Sequence, residues 1–192
     1  MQNFHGYFPR EFCCISPLEF FQGCQLTRGP GFQNSDKIII PKSSLEPLIS
    51  RPARDNLYVL RLMNPMNSNC TFVGIADFIA PEGSILVPDS IMCDLECKVG
   101  DRLLVNTLSV PPAEYAKIVL PKELMRLAEE NCVINLLAVI EFSLKNHTLL
   151  FVKKQVLIKI FEKSWYIEVK ELRPSSVCSI LNTDLKVDIE AK

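Results

Sequence analysis

The sequence predicts a mainly β protein of the α+β class, a small barrel or sandwich followed by a mixed helix and strand segment. Two observations carry this. All seven glycines lie at or before Gly100, and twelve of the thirteen prolines lie at or before Pro121. Short apolar runs punctuated by Pro and Gly are the pattern of a small barrel or sandwich. After Pro121 the pattern changes to a helical period and then to alternating strands. The expected boundary is therefore between residues 119 and 120, dividing the chain into 1–119 with an N-terminal arm and 120–192.

The elements follow in order. Lys37-Ile38-Ile39-Ile40-Pro41 reads as a short strand stopped by a residue that cannot donate a ladder hydrogen bond. Ser43-Ser44-Leu45-Glu46 offers a capping box in which the Ser43 hydroxyl accepts from the amide of Glu46, with Arg51-Pro52 ending the helix. Leu57 to Leu62 and Thr71 to Ile79 are strands. Pro81-Glu82-Gly83 is a tight turn into a strand at Ser84 to Val87, so the latter two are expected to form a hairpin. Pro88-Asp89-Ser90 opens a single helical turn, and Val99-Gly100-Asp101 leads into a strand at Arg102 to Val105.

Beyond Pro121, Lys122 to Glu130 is an amphipathic helix. Asn135 to Leu144 is a helix if Leu136, Leu137, Ile140 and Leu144 share a face, and a strand if Val139 and Ile140 prevail. Strands follow at Val156 to Phe161, Trp165 to Leu172, Val177 to Leu181 and Leu185 to Ile189.

Composition excludes several functions. The chain has 192 residues, 48% of them hydrophobic, enough to bury a core. A formal charge of −1 without charged blocks argues against nucleic acid, whose binding depends on neutralising phosphates. No run approaches the ~20 apolar residues that span a bilayer, so neither nucleic acid nor membrane insertion is expected. The N-terminal residues lack a basic region followed by an apolar block, so no signal peptide is expected. The eight scattered cysteines then read as thiols rather than bridges, and the expected compartment is the cytosol or nucleus.

Chemistry finds little purchase. There are two histidines: His5 in a terminal segment, and His147 in the polar stretch Lys145-Asn146-His147-Thr148, read as solvated loop. Gly29-Pro30-Gly31 begins a dinucleotide fingerprint, but Asn34 stands where its third glycine belongs. Cys93 and Cys97 are one residue too far apart for the usual zinc pair and have no second pair. The aromatic residues Phe4, Tyr7, Phe8, Phe12, Phe20 and Phe21 read as packing rather than as a base-stacking platform, with only Arg10 nearby. No catalytic centre, metal site or cofactor is expected.

Four motifs are more specific. Asp36 to Leu45 (DKIIIPKSSL), Val73 to Gly83 (VGIADFIAPEG), Val87 to Met92 (VPDSIM) and Ser179 to Asp188 (SILNTDLKVD), with the stretch Ala138 to Pro174, resemble the N-terminal domain of the ubiquitin fusion degradation protein family. The resemblance runs from about Cys13 to Ile189. It implies a double-psi β-barrel followed by a smaller α/β subdomain, with Gly100-Asp101 as the turn typical of such barrels. It also implies a non-enzymatic adaptor that binds ubiquitin or polyubiquitin chains. With a heterodimeric adaptor partner, such an adaptor recruits ubiquitinated substrates to the valosin-containing AAA ATPase for degradation. Lys153-Lys154-Gln155, the 64–70 loop and the 23–33 region depart from the family pattern.

For the ubiquitin contact, the expected residues are Asp77, Phe78, Pro81 and Glu82. The competing reading leaves Phe78 in the core and the turn as only a turn. Two other functions share the fold: an isolated N-domain of an AAA ATPase, and a barrel enzyme, which needs a convergent acid, base or nucleophile.

Overall fold

The computed structural model describes residues 10–24, 32–49, 58–130, 135–160 and 162–192. Expectations for Phe4, His5, Tyr7, Phe8, the 29–31 glycines and the Arg51-Pro52 helix stop lie outside them. The chain forms two compact units, Met1–Ser109 and Val110–Lys192.

The first unit is a closed six-stranded barrel. Its strands are β1 (Arg10–Ile15), β2 (Lys37–Pro41), β3 (Val59–Met63), β4 (Cys70–Ala80), β5 (Ser84–Leu86) and β6 (Arg102–Leu108), in the spatial order β1-β5-β2-β4-β3-β6. The β1/β5 and β2/β4 pairs are parallel and the other pairs antiparallel. Alternation along β3 and β6 sends Leu60, Leu62, Leu103 and Val105 inward, where they join Ile38, Ile40, Val73 and Ile85 in the core. Closure leaves no sheet edge to cover.

The expected β4/β5 hairpin does not form. Its turn is present, with the Ser84 amide donating to the Pro81 carbonyl at 3.0 Å and Gly83 at φ 75°, where glycine is favoured. However, β2 lies between the two strands, parallel to β4 and antiparallel to β5. A turn sequence fixes local reversal and cannot report a third strand entering from elsewhere.

A second apolar layer lies on the outside of the barrel wall. Ile39 alternates away from Ile38 and Ile40, and with Ala80 and Leu86 it is covered by Phe20, Phe21 and Phe32. Phe20 and Phe21 ride on helix α1 (Pro17–Cys24) and meet edge to face with ring centroids 5.4 Å apart. Phe12 instead enters the barrel core. These aromatic side chains are therefore packing residues.

Helix α2 (Leu45–Ile49) follows a 3-10 turn at Lys42–Ser44, and α3 (Asp89–Leu95) ends at Glu96, a left-handed cap with φ 49°.

The second unit has a four-stranded sheet in the order β12-β7-β10-β9, formed by β7 (Tyr115–Leu120), β9 (Gln155–Ile160), β10 (Lys163–Arg173) and β12 (Lys186–Ala191). A two-stranded sheet pairs β8 (Leu149–Phe151) with β11 (Val177–Ser179). Helices α4 (Lys122–Glu130) and α5 (Leu136–Leu144) contribute Leu124, Ile140 and Leu144 to its core.

The break between the units precedes the expected boundary at 119/120. Strand β7 pairs with β10 and, in parallel, with β12, so residues 110–119 belong to the second unit. Composition placed them earlier because Pro111, Pro112 and Pro121 continue the proline-rich pattern across the junction.

The stretch from Asn135 is helical. The Asn135 side chain accepts from the Ala138 amide at 3.1 Å, and this cap decides between the two readings. Leu137 leaves the expected buried face and is 52% exposed. His147 is buried together with Thr148, contrary to the solvated loop its neighbours suggested. Its amide closes the end of α5 on the Leu144 carbonyl at 2.9 Å, which draws the segment inward.

Candidate protein-interaction surface

The four expected contact residues divide into two kinds. Asp77 is half-buried and accepts from the Phe78 amide at 2.8 Å. The Phe78 ring packs against the barrel core and is likewise half-buried. Pro81 and Glu82 are exposed. One residue beyond Phe78, Ile79 points outward with 43% of its surface exposed, so the solvent-facing apolar side chain of this strand is Ile79.

Glu82 has a tertiary partner. The Ser43 hydroxyl donates to Glu82 Oε2, and the Ser43 amide donates to Oε1 at 3.3 Å. The parallel β2/β4 pair makes this possible by setting Pro41 opposite Ala80, so the residues following both strands emerge side by side. The expected capping box is thus replaced, because Ser43 serves Glu82 rather than the Glu46 amide. The 3-10 turn itself carries no side-chain cap.

The rim also contains Gly100-Asp101, a rigid turn. Gly100 has φ 95° and donates its amide to the Cys14 carbonyl at 2.8 Å, while Asp101 Oδ2 accepts from the Lys98 amide at 2.8 Å. Cys97 is buried against Cys14 within the core, and burial, the largest cause, pushes both thiols above their ordinary range. The thiol bonded to Cys97 is that of Cys14, whereas Cys93 is exposed. Among the described residues no three His, Cys, Asp or Glu side chains gather as metal ligands. Nor is any helix among them long and apolar enough to cross a membrane.

In the second unit, the outer face of the β12-β7-β10 sheet is a lattice of charges. Glu190 bonds Lys170 at 2.9 Å and Lys117 at 3.0 Å, and these two cations, Lys170 first, hold its carboxyl below the usual carboxylate range. The Tyr115 hydroxyl donates to Asp188 at 2.8 Å, and the Arg173 guanidinium lies 4.9 Å from the Tyr115 ring centroid. Positive and negative groups alternate, which makes a solvated sheet face.

Sequence reasoning missed three features of the surface: the Ser43–Glu82 pair, the exposure of Ile79, and, within the expected 64–70 loop, the 89% exposure of Met66. Strict alternation puts Ile79 in phase with the inward Val73 and Ile75, and the register shifts along β4 that break this phase have no signature in the sequence. The pairing of Ser43 with Glu82 has no local signal at all.

Comparison with known proteins places the sequence in a family. The family described as "Ubiquitin fusion degradation protein UFD1, N-terminal subdomain 1" matches residues 8–111. The human "Ubiquitin recognition factor in ER-associated degradation protein 1" is 27% identical over 192 residues, covering 98% of this chain and 58% of the relative. The Dictyostelium discoideum "Ubiquitin fusion degradation protein 1 homolog" is 27% identical over 81% of this chain and 46% of its own length. The Saccharomyces cerevisiae "Ubiquitin fusion degradation protein 1" is 28% identical over 79% of this chain and 41% of its own. The chain thus spans about half the length of the curated relatives it matches. With the match of residues 8–111 extending over the whole barrel, the chain belongs to the ubiquitin fusion degradation protein family.

Proposed function

We propose that this protein is a non-enzymatic adaptor module that binds ubiquitin or polyubiquitin and serves ubiquitin-dependent degradation, including degradation at the endoplasmic reticulum. The family match over the barrel carries this reading. Its relatives are named for ubiquitin fusion degradation and for ubiquitin recognition in ER-associated degradation. A rigid closed barrel with exposed apolar side chains at its rim suits the task. Recognition by such modules needs a modest apolar patch with polar surroundings, and weak single contacts become useful when several ubiquitins engage together.

The barrel is, on this reading, of the double-psi kind. Support comes from its two parallel pairs and from β2 threading between β4 and β5, which a tight turn joins in sequence. Delivery of substrates to the valosin-containing AAA ATPase, together with a heterodimeric adaptor partner, belongs to the same reading. So does a cytosolic or nuclear site of action. Of the expected contact residues, Pro81 and Glu82 remain accessible, and Ile79 replaces Phe78 as the apolar contributor.

Titration of the isotope-labelled chain with ubiquitin, and with chains of several linkages, tests the central claim. Localised amide shifts on the barrel are expected. No perturbation at millimolar ubiquitin, with single ubiquitin or with chains, would overturn it.

A further inference from the structure

Two buried thiols meet in the barrel core and take no part in the surface described above. Cys14 lies on β1 and retains no solvent exposure, while Cys97, just beyond α3, retains 9%. Their side chains are hydrogen-bonded, with Cys14 donating and Cys97 accepting. The backbone on either side is fixed. The Cys14 amide donates to the Asp101 carbonyl at 2.8 Å, and the Gly100 amide donates to the Cys14 carbonyl at 2.8 Å. The Cys97 amide donates to the Met92 carbonyl at 3.0 Å, directly after the left-handed Glu96. Two segments whose cysteines are 83 positions apart are thus held together with one sulfur on each.

A disulfide needs two sulfurs on neighbouring backbones whose side chains point at each other. A thiol–thiol hydrogen bond is that arrangement before oxidation. No other pair of described cysteines has it. Cys13 alternates away from Cys14, and its thiol lies 3.6 Å from the Gly100 carbonyl. Cys70 and Cys93 are exposed. Cys178 belongs to the second unit, where its thiol donates to the Ser175 carbonyl at 3.3 Å.

We propose that Cys14 and Cys97 form a redox-controlled latch, open as two thiols under reducing conditions and closed as a disulfide under sustained exposure to hydrogen peroxide. Cys97, the sulfur with residual exposure, attacks a peroxide oxygen as thiolate. The O–O bond breaks, Cys97 becomes a sulfenic acid, and the departing hydroxide takes up the thiol proton as water. The Cys14 sulfur then displaces the sulfenic oxygen, which leaves with the Cys14 proton as a second water. Two thiols lose two electrons, and one peroxide is reduced to two waters. Burial keeps both protons in place near neutrality, so closure is slow and answers lasting oxidation. Once closed, the bond ties β1 to the segment after α3 and restricts the unfolded chain through a long loop.

The test uses the full 192-residue chain, held with hydrogen peroxide for hours, after which the remaining thiols are blocked in denaturant. Tandem mass spectrometry of the linked tryptic peptides Glu11–Arg28 and Leu62–Lys98 locates the bridge. A Cys14–Cys97 bond within a monomeric chain is expected, with the melting temperature raised by about 5 °C or more and restored by dithiothreitol. Cys13→Ala and Cys93→Ala are expected to keep the bond, and Cys14→Ala and Cys97→Ala to abolish both the bond and the rise. Oxidation of Cys70 and Cys93 with Cys14 and Cys97 still free overturns the proposal. So does a bridge from Cys97 to Cys93, or a Cys14–Cys97 bond that leaves the melting temperature where it was. None of these outcomes bears on ubiquitin binding, which the amide titration reads separately.

Discussion

Lys153 stands in the left-handed region with φ 73°, in the Lys153-Lys154-Gln155 stretch that the sequence sets apart from the pattern it otherwise resembles. Its neighbour Lys154 turns inward, buried, with Nζ donating to the Leu149 carbonyl at 2.7 Å and lying 5.4 Å from the Phe151 ring centroid. The departure from the family pattern is thus accommodated by one strained backbone and one sequestered cation. Relief of the left-handed strain, about 1–2 kcal/mol, exceeds the entropy cost of glycine, so Lys153→Gly is expected to raise stability by about 0.5–1 kcal/mol in urea unfolding. A loss would show that Lys153 contributes through its side chain.

Cysteine reactivity separates by environment at the same scale. Cys70 and Cys93 are exposed, whereas Cys14, Cys97 and Cys178 are buried with thiols pushed upward in pKa by desolvation. Iodoacetamide at mildly alkaline pH should therefore modify Cys70 and Cys93 in the native chain and reach the other three on unfolding. Mass spectrometry of the tryptic peptides reads the outcome, and early modification of Cys14 would contradict the packing described.

Among elements, the β7, β10 and β12 strands are tied on their outer face by the Glu190 bridges to Lys170 and Lys117. Because the folded protein holds Glu190 below its ordinary value of 4.5, the contribution is complete above that pH and is lost as pH falls through the folded value. Glu190→Gln should therefore flatten the acid limb of the stability–pH curve below about pH 4.5 and leave its shape near neutrality unchanged. Thermal melts across that range provide the measurement, and parallel acid limbs in the two proteins would exclude the assignment. The effect is small, since the pair is solvent-exposed and screened.

At the scale of the whole molecule, each unit contains the complete set of strand partners recorded for its own strands. The barrel core includes Leu62, Ile85 and Leu103, none of which retains solvent exposure. Residues 1–109 expressed alone are accordingly expected to unfold in one cooperative transition, and Leu62→Ala within that fragment to lose about 2–5 kcal/mol. A non-cooperative melt would show that the barrel depends on the rest of the chain. The ubiquitin titration belongs to this scale too, since it asks which face of the molecule is used.

Much of this was legible in the chain itself. Proline and glycine punctuation with short apolar runs specified a β-rich first part, and the helical period after Pro121 gave α4 with both ends, because backbone propensity and burial are read from neighbours three or four residues apart. The order of four short motifs carried the family. Tertiary structure alone decided that β2 enters between β4 and β5, that β7 belongs to the second sheet, and that Ser43 answers to Glu82. Each of these joins residues far apart in sequence, and pairing at long separation is settled by which arrangement buries the most apolar surface with every backbone group satisfied, a property of the assembled molecule that no local pattern encodes.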